Sequence, residues 1–245
     1  MQNAVWRTPN CTLYGVPEKM RDVFLGLARE TKSRGWWHAY GDVVPAWFEL
    51  YVGLEQAAAT IRTYDPALVP GLLQSGEYMG AVIRADRPEL SEDEVTTRIS
   101  LKRSRQQLLT RSFPEPPRTE VIIGEAALMA EPEAEGAMRA QLWHLLKATE
   151  LDNVSLRVLP IARGPHRASV AGAFTLLDFR QENGSTPPAT VYAENLTGAI
   201  YLDKPSEISV YGKAWESIAS KALDEGASID LMSTLLKELN DRESA

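Results

Sequence analysis

His166 and Glu194 are the side chains of this sequence best suited to passing a proton to or from a bound molecule. His166 lies in ARGPHRASVAG, a stretch of small and polar residues too long for a tight turn. Loops of that kind hold chemically able side chains at the surface. An imidazole there serves as a general base, as a hydrogen-bond donor to a ligand, or as a plain exposed loop histidine. Glu194 ends VYAEN, where alternation places Val191, Ala193 and Asn195 on one strand face and Tyr192 and Glu194 on the other. If that second face meets helices, Tyr192 and Glu194 line a cavity. Glu125 also follows a strand pattern, and His144, inside LWHLLK, reads as a partly exposed helix residue.

A second group is aromatic. RGWWHAYGD, residues 34–42, sets Trp36, Trp37, His38 and Tyr40 side by side, either as a packing wedge or as the wall of a site. His38 is then a core histidine or a ligand contact. Glu49 and Glu55 follow on one helix but point different ways, and Glu55, near Tyr51 and Ala58, is the one expected to face inward. A buried carboxylate needs a cation, and Arg62 is the candidate, in a structural ion pair or at a site.

Other chemistries lack their signatures. One cysteine, Cys11, and three histidines at 38, 144 and 166 offer no metal-ligand spacing, so no metal site is expected. Neither a Gly-x-x-x-x-Gly-Lys phosphate loop, a Gly-x-Gly-x-x-Gly fingerprint nor a Gly-x-Ser-x-Gly elbow occurs, so no cofactor is expected either.

Composition sets the frame for these residues. The chain has 245 residues, 44% hydrophobic and 24% charged, as in one large globular domain or two small ones. Cys11 has no partner for a disulfide and no export signal opens the chain, which points to the cytoplasm. No run approaches the roughly 20 apolar residues that span a bilayer, so no membrane role is expected. With 33 acidic against 26 basic side chains the net charge is −7, and DNA binding would need a locally basic face. The best stretch holds Arg98, Lys102, Arg103, Arg105 and Arg111 behind Glu92, Asp93 and Glu94, and it reads as a solvated helix face.

Periodicity supplies the elements. Residues 1–16 read as a flexible arm, and a helix from Pro17 ends at Gly35. Pro45 opens a helix in which Trp47, Phe48, Tyr51, Val52, Leu54, Ala58 and Ala59 cover most of the circumference. IRTYDPALVPGLLQSGEY reads as irregular, being punctuated by Pro66, Pro70 and Gly71. A short helix over 75–84 follows, then a long one opened by the capping box Ser91/Glu94 and reaching about Thr110. After Pro114, Pro116 and Pro117 come strand patterns at 119–123, 154–160, 173–179, 189–194 and 198–202, with a helix over 135–151 between the first two. Helices from Pro205 and over 228–239 close the chain, and 241–245 reads as a frayed tail. The expected fold is α+β, a helical half over 17–113 packed on a mostly antiparallel sheet of about five strands over 114–240, the two sharing one core.

RGWWHAYGDVVPAWFELYVGLEQAAATIRTYDPALVPGLLQSGEY, with the later FTLLDF and VYAENLTGAIYLDKPSEISVY, resembles the C-terminal domain of actinobacterial Xre-family helix-turn-helix regulators, the antitoxin-like or WhiJ-like kind. The resemblance extends from about Leu13 onward. It implies a domain that senses a small molecule or binds a small partner protein, with the Trp36 to Tyr40 block at the joint between DNA reader and sensor. Residues 1–12 are too few for the missing helices of a reader, so direct DNA binding is not expected. His166, Gly172 and Phe174 match a family loop pattern, whereas the residues between them do not.

Two functions follow as expectations. The first is a sensing or interaction domain, its ligand contacts drawn from Trp36, Trp37, His38, Tyr40, Tyr51, Glu55, Arg62, Tyr64, Gln74, Phe174, Tyr192 and Glu194, and the chain a candidate homodimer. The second is an enzyme of secondary metabolism, a cyclase, isomerase or hydrolase acting on a hydrophobic natural-product intermediate, with His166 and Glu194 as acid and base.

Overall fold

The structure, a computed structural model, describes Trp36, Trp37, Tyr40 and residues 45–181 and 187–243. The chain divides into two compact units, Met1–Val44 and Pro45–Ala245. In the first, Trp36 makes edge contacts with Trp37 and Tyr40 at centroid distances of 5.8 and 6.1 Å. His38, the arm and the helix expected from Pro17 lie outside the described residues.

In the second unit Pro45 precedes α1 (Ala46–Ala57), and the backbone turns directly from helix into strand at Ala58, where ψ is 141°. The strand is β1 (Ala58–Asp65), in the stretch whose start reads as helix and whose remainder reads as irregular. Ala58 and Ala59 continue a helical period, but Thr60, Ile61 and Thr63 are β-branched and the two neighbouring strands settle the conformation. Next come α2 (Gly76–Asp86) and α3 (Glu92–Gln106). The Ser91/Glu94 capping box opens α3 as its sequence requires, Ser91 N–H donating to Glu94 Oε2 at 2.9 Å. Then follow β2 (Arg118–Gly124), α4 (Glu125–Met129), α5 (Ala137–Ala148), β3 (Val154–Leu159), β4 (Phe174–Phe179), β5 (Thr190–Asn195), β6 (Gly198–Leu202), α6 (Pro205–Ala219) and α7 (Glu225–Glu243).

The fold is α+β around one six-stranded sheet, in the order β3-β2-β1-β4-β5-β6. It is mixed: β1, β2 and β3 run parallel, whereas β4 pairs antiparallel with β1, β5 with β4 and β6 with β5. Paired residues share a face, so register sorts the side chains. One face carries Tyr64, Ile122, Phe174, Leu176, Val191 and Ala193, buried with Trp215 and Ile218 of α6. The opposite face carries Ile61, Val121, Ile123 and Leu177, all buried, and α1 lies on it, since Tyr51 stacks on Tyr192.

Buried polar groups tie the helices down. Gln141 of α5 accepts from Ser75 N–H and donates to Leu73 C=O, both at 2.7 Å, which fixes the turn before α2. Both ends of its amide thus have a partner, as buried polar atoms require. No helix among the described residues is long and apolar enough to cross a membrane.

Candidate functional site

On the α1 face a single row of paired residues runs Val121, Thr63, Thr175, Tyr192, Tyr201. Tyr192 stacks on Tyr51 with centroids 4.0 Å apart, and Tyr201 lies 5.3 Å beyond it. Two of the phenols have a fixed acceptor: Tyr192 Oη donates to Glu194 Oε2 at 2.8 Å, and Tyr201 Oη to Trp47 C=O at 2.6 Å. Burial pushes all three phenols above their ordinary pKa, and Glu55 adds to the effect on Tyr51 as Glu194 does on Tyr192. They therefore remain protonated donors at any physiological pH.

The stack rests on an ion pair. Arg105 of α3 donates from Nε to Glu55 Oε2 at 2.6 Å and from Nη2 to Oε1 at 3.1 Å, and Glu55 is wholly buried. The guanidinium also lies over the rings of Phe48 and Tyr51, at 5.3 and 5.4 Å. Burial works against its charge, but the Glu55 carboxylate outweighs this and raises the Arg105 pKa. Glu55 thus turns inward as its helical position suggests, while its partner is not Arg62. Arg62 shares the opposite face with Tyr64 and bonds Asp178 at 2.8 Å, out of reach of α1. The α3 face that reads as solvated accordingly turns its most buried cation into the core.

One turn earlier on α3, Lys102 Nζ donates to Gln74 Oε1 at 2.9 Å, and Gln74 Nε2 donates to Val69 C=O at 2.8 Å. Burial, then the like charge of Arg105, lowers the Lys102 pKa to about 8, with Glu194 and Asp86 opposing. Thr63 is half-buried although its neighbours on this face, Ile61, Val121 and Thr175, are buried, so the covering layer opens above it. Its hydroxyl lies 3.2 Å from that of Thr175. Asp65, two residues on and so on the same face, accepts from Ala67 and Leu68 N–H at 2.9 Å each. Its pKa is raised by burial and by Glu194, against those two backbone bonds. Asp65, Lys102 with Gln74, and Tyr192 with Glu194 thus form a polar cluster on the side of the sheet where Thr63 is open to solvent.

The expected site residues therefore divide. Tyr51, Glu55, Gln74, Tyr192 and Glu194 come together with Thr63, Asp65, Lys102, Arg105 and Tyr201, which sequence reasoning did not single out as site residues. Arg62, Tyr64, Phe174 and His166 gather on the opposite face. There His166 Nε2 lies 3.2 Å from Tyr64 Oη, and Tyr64 and Phe174 are 5.9 Å apart. His166 and Glu194, expected as an acid and base pair, are separated by the thickness of the sheet. Among the described residues no three His, Cys, Asp or Glu side chains converge on one point. Two surface hollows lie apart from the tyrosine stack, one of about 510 Å³ beside Arg157 and Trp215 and one of about 670 Å³ between Arg103, Arg139 and Trp143.

His166 yields a pH prediction. Its Nδ1 is buried with no hydrogen-bond partner among the described residues, and burial, then the Lys221 ammonium, lowers its pKa. The folded protein holds it neutral where the unfolded chain, near the ordinary 6.5, would take a proton. Stability from this group is complete above about pH 6.5 and falls as pH drops below that value toward the depressed folded one. His144 is lowered by burial too, against Glu77, and contributes with the same sign. Melting temperatures between pH 5 and 8 should fall less steeply on acidification in His166→Gln than in the parent protein. Identical slopes would show that the imidazole is not held neutral.

A family model described as a domain of unknown function (DUF5753) matches residues 48–234. No curated protein and no solved structure matches the chain. The matched span covers more than half of the sequence, opening within α1 at the residue after Trp47 and closing within α7. It contains every residue of the tyrosine, lysine and carboxylate cluster, and on that match the chain belongs to the DUF5753 domain family.

Proposed function

We propose that this chain binds a small molecule in the opening over Thr63 and serves as the sensing part of a cytoplasmic transcription regulator, of the Xre-family kind its sequence resembles. One observation carries the reading: an exposed carboxylate, Glu194, and a half-buried amine, Lys102, lie on the side of the sheet where Thr63 of the central strand is open to solvent, backed by side chains that are already fixed. Preorganised polar groups set among aromatic ones suit ligand recognition, because little ordering remains to be done on binding. Catalysis by His166 with Glu194 has no such support, since the two groups cannot reach one ligand from opposite faces.

Native mass spectrometry of the full chain after incubation with an extract of its producing cells tests the proposal. A retained small molecule is expected. Its binding should weaken by about tenfold or more in Thr63→Val and in Glu194→Gln, each of which removes one polar contact. Retention untouched by both substitutions would move the site elsewhere, and a molecule released with a new mass would replace sensing by catalysis.

A further inference from the structure

Lys102 is half-buried, whereas Lys147, Lys204, Lys213 and Lys237 are exposed. Lys147 pairs with Glu150, Lys204 approaches Glu207, and Lys221 donates to the Pro165 carbonyl at 2.7 Å. Among the described residues the Lys102 ammonium meets a neutral amide oxygen, that of Gln74, rather than a carboxylate. The nearby carboxylates are engaged, Glu55 by Arg105 and Glu194 by the Tyr192 phenol. Arg105, three residues on and clamped by two hydrogen bonds, is a permanent like charge that cannot swing away. Gln74 is also fixed, because its Nε2 donates to Val69, so its oxygen faces the amine whether or not that amine is protonated. Such surroundings favour a neutral amine, on a side chain that is only half-buried and lies close enough to Glu194 to feel its charge.

Resting on the ligand-site reading above, we infer that Lys102 is a covalent docking point for carbonyl compounds, its Nζ condensing with a ligand aldehyde or ketone to form a reversible imine. The nitrogen lone pair attacks the carbonyl carbon, and a proton from nitrogen passes to the carbonyl oxygen to give a carbinolamine. The hydroxyl then leaves as water with a second proton, and the carbon–nitrogen double bond forms. Protons exchange with solvent, no redox partner enters, and hydrolysis restores the amine. With a pKa of about 8 rather than the usual 10.4, a substantial share of Lys102 is neutral near pH 7.5.

The test uses 4-hydroxybenzaldehyde as probe, sodium cyanoborohydride to trap the imine on the intact chain, and peptide mass mapping. Reduced adduct should accumulate at Lys102 about tenfold faster than at Lys147, Lys204, Lys213 or Lys237, with a rate half-maximal near pH 8. Lys102→Arg should lose that fast adduct and leave slow labelling elsewhere unchanged. Labelling at Lys102 no faster than at the exposed lysines overturns the inference. If a retained molecule still depends on Thr63 and Glu194 in that case, the ligand site stands and only the covalent step is lost. Fast labelling of Lys102 with no retained molecule keeps the amine chemistry and removes the sensing role.

Discussion

Glu55→Ala should cost about 3–5 kcal/mol of stability, because it leaves the Arg105 guanidinium buried with no counter-charge. For a domain of this size that corresponds to a melting temperature lower by about 10 °C. Thermal and urea denaturation followed by far-ultraviolet circular dichroism would measure it. The pair is not thereby a large net source of stability, since two desolvated charges recover little beyond the cost of burying them. Replacing both partners with apolar residues, Glu55→Leu with Arg105→Met, should therefore restore most of what Glu55→Ala loses. A single variant that loses less than about 1 kcal/mol would place the guanidinium in contact with water and sink the account. The restored double variant also serves function: if it folds but no longer retains the ligand, the pair matters for holding Tyr51 and Lys102 in place.

Gly124→Ala is the second large effect. A Cβ on Gly124 would lie 2.6 Å from the Pro66 carbonyl oxygen and 3.0 Å from its Cα, and neither backbone atom can rotate aside as a side chain would. The contact arises because β1 and β2 run parallel and end together, Asp65 opposite Ile123, so the chain leaving β1 crosses β2 at Gly124. Overpacking at such a crossing costs about 1–3 kcal/mol or more. Its consequence for the site is more specific than the loss of stability, since Pro66 follows Asp65 and the displaced backbone carries the rim carboxylate with it. Ligand retention should drop in Gly124→Ala under conditions where the protein is still folded. Gly212→Ala in α6, with nothing within 4 Å of its new methyl, is the control and should be neutral or stabilising by up to about 1 kcal/mol. Equal behaviour of the two variants would refute the crowding argument.

What the sequence discloses follows the range of the interactions. The Ser91 cap, the helix from Pro205 and the alternation of Val154, Leu156 and Val158 depend on neighbours a few residues away, and each is legible. β1 is not legible as a strand because a helical period runs into it and prolines follow it; only its pairing with β2 and β4 makes it one. One signal was available, namely β-branched Ile61 and Thr63 in period-two spacing before the aromatic Tyr64. The inward turn of Glu55 can be read from its helix, but its partner cannot, as Arg105 stands 50 residues away on a helix whose composition suggests water. Lys102 and Arg105 sit three apart, and that spacing gives them a common face without saying which way the face points. Glu194 and His166 show the same limit: alternation assigns each a local side, and only strand order reveals that the sides are opposite.

The central strand has a consequence for the order in which the protein is made. β1 meets neither of its sheet partners through a short connection; Thr63 finds Thr175 across 112 residues and Arg62 finds Asp178 across 116. Contacts of that separation carry a high closure entropy and slow the search for the folded state. On the ribosome, α1 and β1 emerge long before the strands that flank Thr63 and the tyrosine that covers Tyr51. A strand rich in β-branched residues then waits with its hydrogen-bonding edges open, as segments prone to misassembly do. The stretch that forms the floor of the proposed site is thus among the first made and the last secured, and chaperone demand during synthesis should concentrate on it.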